Sequence, residues 1–291
     1  MIGEVEVRGQ VSEARTESPT RRSVGAELVV KAWWGGLTLV VPVVGLVVGQ
    51  AVLLPRHFRV EPTLELVDLT VGPHGGVETP ETPVVEMAAF GDSAMAGVGV
   101  HRLEDVLAVQ LAQRVADATR RPVHVVGYAR SGARTVDVLT EQLPRVQGRP
   151  DVSVLVVGTN DVTAVTPVSV LARSTRALLD GLEALGAPVV MSGLPRFRAM
   201  RLLPHPLMEA VRLYGAVVGA VQRRAVTARP RVRLVDVGAV VGPRFFNDTA
   251  TLSADAFHPS AAGYGRIADA LVPHILAALE PAWPEGKPSH A

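Results

Sequence analysis

The chain has 291 residues, 48% of them hydrophobic and only 4% aromatic, with a net charge of +1 and no cysteine. That length suits one large α/β domain with an appendage, or two small domains. The near-neutral charge leaves no electrostatic footprint for a nucleic-acid partner. The missing thiols exclude disulfides and thiolate metal sites but not a place outside the cytoplasm.

Residues 1–31 are polar, carry both signs of charge and lack a hydrophobic period, so a disordered or loosely helical N-terminal segment is expected. Residues 32–55 then contain no charged side chain. A helix of about 24 residues is about 36 Å long, enough to cross a hydrocarbon core of about 30 Å. Trp33 and Trp34 sit at one end, and Arg56 and Arg59 bound the other. A single transmembrane helix is therefore expected, in preference to a buried core helix or a secretory signal. Arg21, Arg22 and Lys31 give a slight bias toward a cytoplasmic N-terminus, which leaves the bulk of the chain extracytoplasmic. Residues 56–83 are broken by Pro62, Pro73, Gly75, Gly76, Pro80 and Pro83 and read as a linker or stalk. Leu64–Val71 has room there for one short strand.

From Val84 the pattern alternates. Apolar strand-like runs occur at Val84–Phe90, Val123–Tyr128, Val152–Val157, Pro188–Met191 and Val232–Val237. Helix-like stretches fall near 103–118, 134–146, 168–185, 207–228 and 261–279. Five strands alternating with helices predict a five-stranded parallel sheet in a flavodoxin-like three-layer α/β/α sandwich over 84–280. The Pro-rich tail 281–291 lies beyond it.

In such a sheet ligands sit beyond the carboxyl ends of the strands. Gly91-Asp92-Ser93 follows the first strand, Arg130-Ser131-Gly132-Ala133 the second and Gly158-Thr159-Asn160-Asp161 the third. Asp255-Ala256-Phe257-His258 follows the fifth through a loop. Each run alone is ordinary turn or cap chemistry; their order at successive strand ends is not. Together they resemble the SGNH (GDSL-type) hydrolases, a family of esterases and lipases. The resemblance covers about residues 84–280, with Gly97 completing the first block and Pro259 the last. One departure is Gly127, where the second block often starts with asparagine. The chain also lacks the Gly-x-Ser-x-Gly elbow of the other large α/β esterase family.

The chemistry points the same way. Ser93 needs a base to become a nucleophile, and His258 is the histidine in a polar strand-end setting, with His205 a weaker rival. Asp255 stands three residues before His258, close enough in a tight turn to reach the other ring nitrogen. The Ser93 N–H, the Gly132 N–H and the Asn160 amide are candidate donors to a developing oxyanion. Asp92 is expected to pin its loop and Asp161 to cap a helix. The stretch Leu194–Leu207 mixes Arg196, Arg198 and Arg201 with apolar residues and reads as a substrate wall or an ordinary surface loop.

The expected function is a serine esterase or lipase working through an acyl-enzyme, with no cofactor and no metal. Three alternatives stand beside it: a membrane-tethered acyltransferase, a glycan O-acetyl esterase, and a non-catalytic binding module on the same fold. The expected partners are a small-molecule or lipid ester and the membrane, and both halves of the ester are left open.

Overall fold

Runs of Val, Ala and Leu without charge are stable only where both faces of a strand are covered, and the fold covers them. In the computed structural model the strands are β1 (Asp68–Val71), β2 (Val85–Gly91), β3 (Val123–Gly127), β4 (Val152–Val156), β5 (Val189–Ser192) and β6 (Val232–Val235). The described residues are 67–75, 82–196, 204–242, 245, 248–255 and 257–280, all within the unit Gly49–Ala291. The polar segment 1–31, the expected transmembrane helix 32–55, most of the linker and the tail 281–291 lie outside them. Among the described residues no helix is long and apolar enough to cross a membrane.

The sheet order is β1-β3-β2-β4-β5-β6. The last five strands are parallel to one another, in the order of a doubly wound flavodoxin-like sheet. The expected count of five is corrected to six, and the expected all-parallel sheet to a mixed one. β1 pairs antiparallel with β3, Asp68 opposite Val126 and Val71 opposite Val123. Its four residues alternate between exposed and half-buried, the pattern of an edge strand with one wet face rather than of a core strand.

Four long helices complete the layers: α1 (Leu107–Thr119), α2 (Val168–Ala184), α3 (Leu207–Val226) and α4 (Ala261–Leu279). The two-residue period of β2 divides the core between the faces. Met87 and Ala89 join Leu111 and Val115 of α1 and Leu271 and Ile275 of α4. Ala88 and Phe90 join Leu178, Leu179 and Leu182 of α2. Truncating any of these buried leucines to alanine costs about 2–5 kcal/mol. The stretch expected as one helix over 134–146 is broken into a helical turn at Thr135–Asp137, a wide π-type turn at Val138–Gln142 and a tight turn at Leu143–Arg145. Pro144 lies inside this stretch and lacks the N–H that would continue a regular ladder.

Candidate functional site

The carboxyl edge of the sheet collects the polar runs. At the end of β2 the Gly91 backbone is clamped from both sides by one side chain. Gln142, buried in its π-type turn, accepts from Gly91 N–H at 3.0 Å and donates to Gly91 C=O at 2.8 Å. Asp92 N–H donates to Val156 C=O at 3.1 Å, which ties the turn to β4. Ser93 therefore leaves the sheet at a fixed point between two core strands.

His258 comes from the other end of the domain. The chain doubles back just before α4, where Ser253 N–H donates to His258 C=O at 2.8 Å and Leu252 bridges Pro259. Ser260 then caps α4 by accepting from Gly263 N–H at 3.2 Å, so the helix starts three residues after His258. Inside the turn Asp255 is saturated with donors. Its Oδ1 accepts from Ser253 Oγ at 2.7 Å and from the N–H groups of Phe257 and His258 at 2.8 Å each. Its Oδ2 lies 2.5 Å from His258 Nδ1. The other ring nitrogen, His258 Nε2, lies 3.1 Å from Ser93 Oγ. Since a carboxylate can only accept, Nδ1 carries the proton and Nε2 is left to accept from the serine hydroxyl.

Burial pulls the Asp255 carboxyl upward, but the hydrogen bonds from His258, Ser253 and the two backbone N–H groups outweigh it and hold it below the ordinary carboxylate value. Asp92 shows the reverse. It is 4% exposed and raised to about 7 by burial, with the neighbouring Asp161 adding to the rise and the Ala94 N–H partly offsetting it. The expectation that Asp92 pins its loop holds, since Oδ1 accepts from Ala94 N–H at 3.2 Å. So does the expectation that Asp161 caps a helix, although the helical turn is one remote in sequence. Its Oδ2 accepts from the N–H of Thr135, the first residue of the turn Thr135–Asp137, at 2.9 Å and from Thr135 Oγ at 2.7 Å, joining the end of β4 to the segment after β3. Asn160 strengthens the same junction by donating to Ala133 C=O at 3.1 Å. An amide nitrogen has two N–H groups, so a second donor remains on Asn160. Gly132 sits in the loop after β3 at φ +79°. Among the described residues no acceptor takes up the backbone N–H of Ser93 or of Gly132.

Other described histidines contact carboxylates. His205 lies 2.8 Å from Glu209. His124 bridges Glu86 at 2.7 Å and Asp68 at 2.9 Å. Of the stretch expected to be a substrate wall, Leu194 and Pro195 line the pocket beside Ser93, Arg196 pairs with Asp236 at 2.9 Å, and residues 197–203 lie outside the described residues.

Three further residues hold the site and carry no motif. Gln142 is one. Tyr264 of α4 is fully buried and donates to Val98 C=O at 2.5 Å, fixing the loop after Ser93 to the helix after His258. Gly99 is the third. A Cβ there would lie 2.7 Å from Pro259 C=O and 3.2 Å from His258 Cβ, and its φ is +96°. Only glycine allows the two loops to approach so closely. A deeply buried tyrosine in an apolar helix and a glycine soon after the serine are the only traces these positions leave in the sequence.

A serine hydroxyl within reach of an imidazole, itself oriented by a buried carboxylate, with unpaired N–H donors nearby, is an arrangement suited to acyl transfer. Among the described residues no group of three or more His, Asp or Glu is placed to hold a metal ion.

Comparison with known proteins agrees with this chemistry. The model of the GDSL-like lipase/acylhydrolase family matches residues 89–266. The chain belongs to that family. It is a carboxylic ester hydrolase of the GDSL type. A GDSL-like esterase of Mycobacterium tuberculosis is 30% identical over 236 residues, covering 78% of this chain and 74% of the relative. Two solved structures share the fold of the GDSL domain. The lipase Lip_vut3 from a goat rumen metagenome superimposes with a TM-score of 0.52 at 18% identity, covering 67% of this chain and 97% of its own. The family 3 carbohydrate esterase of Clostridium thermocellum does so with a TM-score of 0.51 at 20% identity, covering 68% and 99%.

Proposed function

We propose that this GDSL-type hydrolase cleaves carboxylic esters through an acyl-enzyme on Ser93. His258 Nε2 takes the Ser93 proton as Oγ attacks the ester carbonyl. Asp255 holds the ring in the required tautomer and stabilises the imidazolium. The negative charge that develops on the carbonyl oxygen is met by the Ser93 N–H, the Gly132 N–H and the second N–H of Asn160. His258 then returns its proton to the departing alcohol. Water, deprotonated by the same ring, attacks the acyl-enzyme and releases the acid.

The observation that carries this reading is the continuous chain Asp255–His258–Ser93, with links of 2.5 and 3.1 Å. It also weighs against a non-catalytic binding module, because serine, base and carboxylate are all present. A fluorophosphonate probe and p-nitrophenyl esters provide the test. Wild type labels and turns over, whereas Ser93→Ala does neither while keeping its fold by circular dichroism. A folded wild type that neither labels nor hydrolyses any ester defeats the reading.

The apolar run 32–55 is proposed to anchor the chain as a single span with the hydrolase domain outside the cytoplasm. Its support is the sequence pattern of an uncharged run flanked by tryptophan and arginine. Membrane fractionation, with protease accessibility of residues 56–83 in intact cells, tests both the anchor and its direction.

A further inference from the structure

The pocket beside Ser93 bears on the half of the ester that the sequence leaves open. A pocket of about 110 Å³ starts at Ser93 and His258 and passes the ends of β4 and β5. It continues to Leu107 at the start of α1, Ile267 of α4, and Val237, Val241 and Phe245 after β6. Leu107 has no solvent exposure, Val237 and Phe245 are 5% and 3% exposed, and Val241 and Ile267 are half-buried, so this part of the pocket is bordered by core and half-buried side chains. The side chains there carry no charge. The charged groups on its lining, Asp92 and His258, belong to the part around Ser93.

Resting on the reading of Ser93 as nucleophile, we propose that this pocket receives the acyl chain and limits it to about four carbons. The size argument is direct. An apolar protein cavity of about 150 Å³ holds benzene, six carbons, so 110 Å³ has room for about four. The assignment to the acyl rather than the alcohol half follows from the order of events. The acyl group stays bonded to Ser93 between the two half-reactions and needs no exit. The alcohol must leave and water must replace it, which requires the solvent side. A pocket so bordered suits the group that stays. An acyl chain entering it also removes apolar surface from water, at about 0.8 kcal/mol per methylene.

The wall is shaped by small packing margins. A Cβ on Gly238 would lie 2.7 Å from Leu194 C=O, so the short helix Val237–Val240 and the strand end at Leu194 are already in contact. The pocket cannot widen there without separating them. Ile267, half-buried on α4, is the residue whose truncation extends the space with least disturbance.

The full-length chain is assayed with p-nitrophenyl esters of two to twelve carbons, and separately with butanoate esters of alcohols of rising length. The expected kcat/KM peaks near the butanoyl ester and falls at least about tenfold by the decanoyl ester, the size of effect that excess methylenes produce in a filled pocket. Varying the alcohol at fixed acyl length changes it far less. Ile267→Ala moves the acyl optimum to longer chains by two carbons or more. Val241→Leu moves it to shorter ones. A Ser93-dependent activity with its optimum at ten or more carbons, or one governed by the alcohol, overturns the pocket assignment and leaves the hydrolase reading standing. Loss of all Ser93-dependent turnover and probe labelling overturns both. Should either variant unfold, the wild-type profile decides alone.

Discussion

The turn after β2 and the turn before α4 each bring an aspartate to the same site, and their surroundings pull the two carboxyls in opposite directions. Asp255 is half-buried, and four donors within its own turn hold its carboxyl below the ordinary value. Asp92 is buried against Asp161 with a single 3.2 Å backbone bond recorded on Oδ1, and rises to about 7. Deep burial with one donor raises one carboxyl, and shallower burial with four donors lowers the other. One acid is held as an anion 2.5 Å from His258 Nδ1. The other titrates near neutral pH.

The comparison breaks most sharply at Asp255. Asp255→Asn keeps the shape of the turn but offers the imidazole a neutral partner and permits the wrong tautomer. A loss of about 10⁴-fold in kcat is expected, as for other histidines deprived of this partner. Steady-state ester hydrolysis measures it, and a loss under tenfold would show that the 2.5 Å contact is structural only.

Asp92→Asn tests the opposite side. Because the folded carboxyl titrates near 7 and the ordinary value is 3.8, folding binds a proton between those pH values. Stability from this group thus falls as pH rises from about 4 to 7 and is constant above. Asparagine removes the titration. Asp92→Asn should be as stable as wild type at pH 4 and more stable by up to about 4 kcal/mol at pH 8. Denaturant melts at the two pH values report the sign. Asp255 works in the other direction: its contribution is present above pH 3.8 and is lost as pH falls through its depressed folded value.

Asn160 and Asp161 repeat the contrast at the end of β4, one a neutral donor and one a buried acceptor. Asn160→Ala should lower kcat by about 10² to 10³-fold with little change in KM, the cost of one oxyanion donor. A change confined to KM would assign Asn160 to ground-state binding instead. The smallest effect belongs to the strut between the two turns. Tyr264→Phe leaves Val98 C=O buried without its donor and should cost about 1–3 kcal/mol in chemical denaturation.

Much of this was readable in advance, and the reasons differ by element. β2 to β6 are uncharged or nearly uncharged runs because they lie under helices on both faces, so composition alone marks them. β1 is Asp-Leu-Thr-Val, a string that becomes a strand only because β3 has a free edge to pair with. The segment 134–146 looks continuous in hydrophobicity, but its wide turn exists to aim Gln142 at Gly91. Ser93, Asp255 and His258 were legible because reactive side chains come with fixed neighbours. Gln142, Tyr264 and Gly99 were not, since each acts on backbone or side-chain atoms at least 40 residues away along the chain.

The direction of β1 has a practical corollary. Running against its neighbours, it begins beside Gly127, where Gly127 N–H donates to Val67 C=O at 2.7 Å, at the edge that carries Ser93. α4 starts at that edge too and likewise runs away from it, its Asp269 meeting Arg114 midway along α1. A bead or film coupled to the chain ahead of Val67 would thus meet the enzyme on its working side. The same support coupled beyond Leu279 would leave the mouth turned to bulk solution, so the choice of handle decides whether immobilised protein sees its ester.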